Sequence, residues 1–114
     1  MKPRTTRTRV GAHALLACAA VLATALFHQY PLSLSILLCA TAAAFLAITP
    51  HPRGWIVFLF ASLMGPASEM VAVSSGAWHY AEPFVWGVPL WLFPLWGCAA
   101  LLIIGAAYAV PIKR

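Results

Sequence analysis

An all-α integral membrane fold, with four transmembrane helices and both termini in the cytoplasm, is predicted from three observations. The first is composition: of the 114 residues, 63% are hydrophobic and 8% charged. Soluble proteins average roughly 45–50% and about 25%, and a small globule cannot cover its surface with so few polar groups. The second is length. Four apolar runs, residues 10–27, 31–49, 55–73 and 88–110, approach the roughly 20 residues that cross a hydrocarbon core about 30 Å thick. The third is the charge distribution. Lys2, Arg4, Arg7, Arg9, Arg53, Lys113 and Arg114 fall on one side of this threading, and the opposite connections, 28–30 and 74–87, carry neither Lys nor Arg. This positive-inside pattern sets the orientation. The formal net charge of +5 is thus a topology signal with some attraction to anionic headgroups, and nucleic-acid binding is not expected.

Residues 1–9 read as a polar, basic cytoplasmic arm and residues 10–114 as a single transmembrane domain. The first span is rich in alanine (Ala12, Ala14, Ala17, Ala19, Ala20, Ala23, Ala25). Small residues let helices approach closely, and such packing drives association in lipid. Its apolar run continues well past Leu15-Leu16-Ala17-Cys18, which favours an uncleaved helix over a signal peptide or a lipoprotein processing site. The second span repeats the pattern in Ala40, Ala42, Ala43, Ala44 and Ala47, and the short connection between the two makes an antiparallel hairpin. Pro50-His51-Pro52-Arg53-Gly54 is a cytoplasmic turn, because two prolines and a glycine cannot continue a helix.

The third span is the weakest. Glu69 interrupts its apolar run, and Gly65-Pro66 precedes the acid. Proline frees the carbonyl of Ser62 and predicts a kink there. Helical spacing puts Ser62, Gly65, Glu69 and Val73 near one face, small and polar, suited to the bundle interior. An aromatic outer loop follows (Trp78, His79, Tyr80, Phe84, Trp86), at home in the headgroup belt. The last span opens with Pro89, Pro94 and Gly97, so its outer half should be irregular. Such backbone is tolerated at depth only against protein or a wet cavity.

An acidic or basic group at membrane depth costs roughly +2.5 to +3.5 kcal/mol near a helix centre and marks a candidate functional site. Counting about 1.5 Å per residue from Trp55 places Glu69 roughly 20 Å along the span, in the outer third of the membrane. There it can act as a general acid, as a carboxylate that stabilises a cation, or as a hydrogen-bond strut to Ser62, Tyr80, Trp78 or a freed backbone group. Glu69 is the candidate catalytic residue; Trp78, His79, Tyr80, Glu82, Trp86 and Trp91 are candidate substrate or lipid contacts, and Trp96 belongs to the same aromatic set. His28, His79 and Glu82 lack the spacing of a metal motif, and Cys18, Cys39 and Cys98 form no CxxC pair, so neither a metal nor a disulfide framework is indicated. No nucleotide fingerprint or other cofactor motif occurs. His13 and His51 are expected at the cytoplasmic interface.

From Glu69 to Trp91 the chain reads E-x6-G-x-W-x-Y-x2-P-x3-G-x-P-L-W, followed by P-x-W-G. This segment resembles integral-membrane proteins of carotenoid biosynthesis, the small three-span lycopene cyclase subunits and the related carotenoid hydratase group. The matching positions are Glu69, Gly76, Trp78, Tyr80, Gly87, Pro89 and Leu90. The resemblance implies cofactor-independent, proton-driven chemistry on a polyene, with a carboxylic acid as donor and aromatics stabilising a carbocation. The cyclases carry paired acids after Gly-x-Pro-Leu, where this chain has Leu92-Phe93-Pro94-Leu95; a partner chain would then have to supply the second acid.

Readings from different classes follow. One is a small multi-pass protein of the cell (inner) membrane that packs or binds, in contact with lipid, with an outward-facing aromatic and Glu69 site, and that assembles with copies of itself or a membrane partner chain. Another is a lipid- or isoprenoid-modifying enzyme or half-enzyme with Glu69 as proton donor. A third is a small transporter subunit, since broken helices line transporter binding sites.

Overall fold

Four helices organise the chain in a computed structural model that describes residues 6–48 and 52–109: α1 (Thr6–Phe27), α2 (Pro31–Ile48), α3 (Gly54–Ser74) and α4 (Leu92–Ala109). The all-helical expectation holds. Helices α1, α2 and α3 are each long and apolar enough to cross a membrane, whereas the apolar stretch of α4, Leu92–Tyr108, is 17 residues.

Several boundaries move. Helix α1 begins at Thr6, within the basic arm of residues 1–9; no proline or glycine separates Thr6–Arg9 from the apolar run. Pro31 opens α2, where a missing N–H costs nothing, and Leu34 donates back to the Tyr30 carbonyl at 2.9 Å. Thr49, the expected end of the second span, and Pro50 and His51 of the expected cytoplasmic turn lie outside the described residues, while Pro52 and Arg53 do form a turn. Helix α3 is continuous through Pro66. The last helix starts at Leu92 rather than Val88. Proline at 89 pushes Val88 toward extended backbone, and Val88 pairs instead with Val85 in a small bridge. Beginning at Leu92 puts Pro94 in the first turn, where its lack of N–H is harmless.

Helix α4 is the axis of the bundle. It packs against α3, α2 and α1, while α3 barely touches α2 and does not touch α1 at all. Leu34, Leu38, Ala42 and Phe45 present one buried stripe of α2 to Ala20 and Ala23 of α1 and to Leu92, Cys98 and Leu101 of α4. The Cys98 thiol donates to the Leu38 carbonyl at 3.2 Å. The helix exteriors are largely apolar: Leu15, Val21, Leu26, Ile36, Phe60, Leu63 and Ile103 are all exposed. Such a surface is unsuited to water and suited to lipid.

Close approach along α4 depends on missing side chains. A Cβ at Gly65 would overlap the Trp96 indole, one at Gly97 the Phe58 ring and Ser62 hydroxyl, and one at Gly105 the His13 ring. Small residues serve the same end in membrane helix pairs generally. His13, expected at the cytoplasmic interface, is 2% exposed, seated against Gly105 with its ring centroid 5.8 Å from that of Phe45. His51 lies outside the described residues.

Candidate functional site: a carboxylate in an aromatic cavity

The loop after α3 is thrown back onto its own helix by a glycine. Gly76 has φ +84°; its N–H donates to the Val73 carbonyl at 3.0 Å and that of Ala77 to the Ala72 carbonyl at 3.0 Å. That pairing is the Schellman stop, which favours glycine at the left-handed position. The reversal carries Trp78 and Tyr80 back beside Glu69. Next, Trp86 (φ 44°) and Gly87 (φ 84°) form the two-residue turn of a hairpin closed by Val85 and Val88. Both central residues of such a turn need positive φ. Glycine meets this freely, and a Cβ at Gly87 would also overlap Val73. Trp86 pays roughly 1–2 kcal/mol for it.

At the centre lies the Glu69 carboxylate. The Tyr80 hydroxyl donates to Glu69 Oε1 and the Trp96 indole N–H donates to Oε2. The network thus points from one indole and one phenol toward one carboxyl group. Gly65 makes it possible, because only there can the Trp96 ring lie across α3 one turn before Glu69.

Glu69, Tyr80, Trp91, Leu92, Leu95, Trp96, Ala99 and Thr24 line an open-sided cavity of about 390 Å³. It occupies the wedge between α1 and α3, which flank α4 without meeting. Tyr80 and Trp91 stand nearly perpendicular, at 84° with centroids 6.0 Å apart, and so form two walls. Trp91 is buried, and its Nε1 has no hydrogen-bond partner among the described residues.

The candidate residues named from sequence separate here. Glu69, Tyr80 and Trp91 come together at the cavity, whereas Trp78 is exposed and does not line it. His79 is exposed and does not line the cavity. Glu82 faces away to His28, whose Nδ1 lies 3.1 Å from Glu82 Oε2, tying the loop to the α1–α2 connection. Such a half-exposed pair contributes roughly 0–1 kcal/mol. Trp86 is 80% exposed at the hairpin tip and borders a separate apolar groove with Met70 and Val73. Two residues were missed. Trp96 was grouped with the aromatics but not assigned to Glu69, and Thr24 gave no signal at all. The expected Glu69–Ser62 bond does not form; Ser62 turns to Gly97, and its buried hydroxyl has no partner among the described residues.

Burial pushes the Tyr80 phenol up to about 12 from 10.0, with the Glu69 hydrogen bond and charge adding and the Trp78 bond opposing. The folded chain therefore holds a proton that the unfolded chain releases, so stability should fall as pH rises from about 10 to about 12. Phenolate absorbance should show one tyrosine titrating late, and Tyr80→Phe should remove that phase. A titration unchanged by Tyr80→Phe would contradict the buried hydrogen bond.

The apolar exterior and three helices of spanning length define an integral membrane protein. No protein-family profile, curated protein or solved structure matches the chain.

Proposed function

We propose that this is a four-span protein of the cell membrane, both termini cytoplasmic, that binds a lipid-like ligand in the outer-leaflet cavity at Glu69. The orientation rests on the one-sided Lys and Arg distribution. Four spans are favoured by α4, whose apolar helix lies at the centre of the other three. Reporter fusions at Arg114 and within residues 81–85 should report cytoplasm and exterior respectively, and the reverse would overturn the threading.

The observation that carries the binding role is the cavity itself. Its volume falls within the roughly 300–1,000 Å³ of ligand sites, and its make-up, apolar and aromatic walls with few convergent polar groups, is that of such sites. The experiment is photolabelling in nanodiscs with a photoactivatable phospholipid. Residues 92–99 should be labelled, and Ala99→Phe, which fills the cavity, should cut that labelling at least several-fold. Ala107→Phe, on the exposed exterior of α4, should not. Labelling that survives Ala99→Phe would sink the binding role.

The enzyme alternative, with Glu69 as proton donor to an isoprenoid, draws on the same acid and aromatic walls and on the likeness of residues 69–97 to carotenoid-pathway proteins. The hydrogen-bond geometry weighs against it. Each Glu69 oxygen already accepts a bond, from the Tyr80 hydroxyl and the Trp96 indole, whereas a proton donor needs an O–H aimed at the substrate.

A further inference from the structure

Glu69 is stabilised by neutral groups, and nothing among the described residues neutralises it. The one ion pair found there is His28–Glu82. Between Arg53 and Lys113 the chain has no Lys or Arg. Tyr80 and Trp96 hold the carboxyl group in place, and neither brings a positive charge to it. An uncompensated charge at membrane depth is costly, and the cavity that this charge faces is walled by ring systems. Tyr80 and Trp91 meet at 84°, and the Trp96 indole completes the aromatic lining.

Aromatic faces attract cations through the ring quadrupole, and several rings around one site form the recognition pattern of alkylated ammonium groups. A carboxylate on the same wall adds direct ion pairing in a low-dielectric setting, where a charge pair interacts far more strongly than in water. The other lining residues, Leu92, Leu95, Ala99 and Thr24, provide an apolar floor for a hydrocarbon body. A bare metal ion does not suit this lining, since no cluster of three His, Cys, Asp or Glu exists among the described residues.

Building on the cavity-binding role, we propose that the ligand is an alkylammonium group on an apolar body, its cation held between the Glu69 carboxylate and the Tyr80, Trp91 and Trp96 rings. Two sources share this chemistry: the ammonium headgroup of a membrane lipid, and a free hydrophobic cation.

The test uses the full chain in nanodiscs of phosphatidylglycerol, which has no ammonium group. Equilibrium dialysis compares benzyltrimethylammonium with neopentylbenzene, the uncharged isostere in which carbon replaces nitrogen. The cation should bind saturably and at least about tenfold tighter than the isostere. Glu69→Gln should remove most of that difference, and Ala99→Phe should abolish binding of both. Equal binding of cation and isostere would overturn the charge assignment while leaving the cavity role intact. Failure of both to bind, with no effect of Ala99→Phe, would overturn the cavity role itself. The cation–isostere comparison uses the native chain, so misfolding of a variant cannot shield the proposal. Adding phosphatidylethanolamine then separates the sources: competition with the probe identifies a lipid headgroup, and unchanged binding identifies a free cation.

Discussion

Gly65→Ala should destabilise the α3–α4 interface by about 2–4 kcal/mol. The new Cβ would overlap the Trp96 ring at three atoms. That ring lies against α3 at Gly65 and is 36% exposed, so either the indole swings further out or the helices part. Overpacking of this kind costs roughly 1–3 kcal/mol. Displacing the indole also breaks its bond to Glu69, and interhelical hydrogen bonds in membranes average about 0.6 and reach about 1.7 kcal/mol. Reversible unfolding in mixed micelles gives the measurement. Gly11→Ala is the control: nothing lies within 4 Å of its Cβ, and helix propensity should make it neutral or up to about 1 kcal/mol more stable. Equal stability of the two variants would refute the close packing at Gly65.

Glu69→Gln should cost about 1–3 kcal/mol although it removes a charge from the membrane. Glutamine offers one oxygen and one amide NH₂, so one of the two donors, Tyr80 or Trp96, meets a donor. Leaving such a partly exposed donor unpaired costs toward the lower end of that range. Glu69→Leu strands both, but it also makes α3 a better inserter. Combining Glu69→Leu with Tyr80→Phe and Trp96→Phe removes both donors, and the triple variant should recover much of the loss. Such non-additivity marks residues that act as a unit. If Glu69→Gln matches the native chain in stability, the carboxylate is not a strut.

What sequence could reveal followed the reach of each interaction. The helices were legible because composition and run length decide them locally, and the polar face of α3 followed from helical spacing. Tyr80 was within reach as a partner because it lies only 11 residues past Glu69 and follows a glycine that forces the chain to reverse. Trp96, 27 residues away, was not. Its assignment depends on the slot that Gly65 opens, and a glycine beside proline reads first as a helix breaker. Thr24 reaches the cavity only because α1 and α3 fail to meet, a fact of bundle geometry that no local pattern encodes. The burial of His13 was not legible for a related reason: position near a helix end suggests exposure, but Gly105 on another helix creates the niche that buries it. The start of α4 slipped because Val88 and Pro89, apolar enough to count toward a span, serve a hairpin instead.

The dependence of α3 on α4 has a consequence for the order of assembly. The hairpin of α1 and α2 closes on its own contacts but offers α3 almost no landing surface. Tyr80, Trp91 and Trp96 all follow Glu69 in the chain. Docking of α4 is then a single event that seats α3, covers the carboxyl group and completes the cavity together, so a chain ending before Trp96 would lack both the indole partner of Glu69 and most of the packing surface of α3.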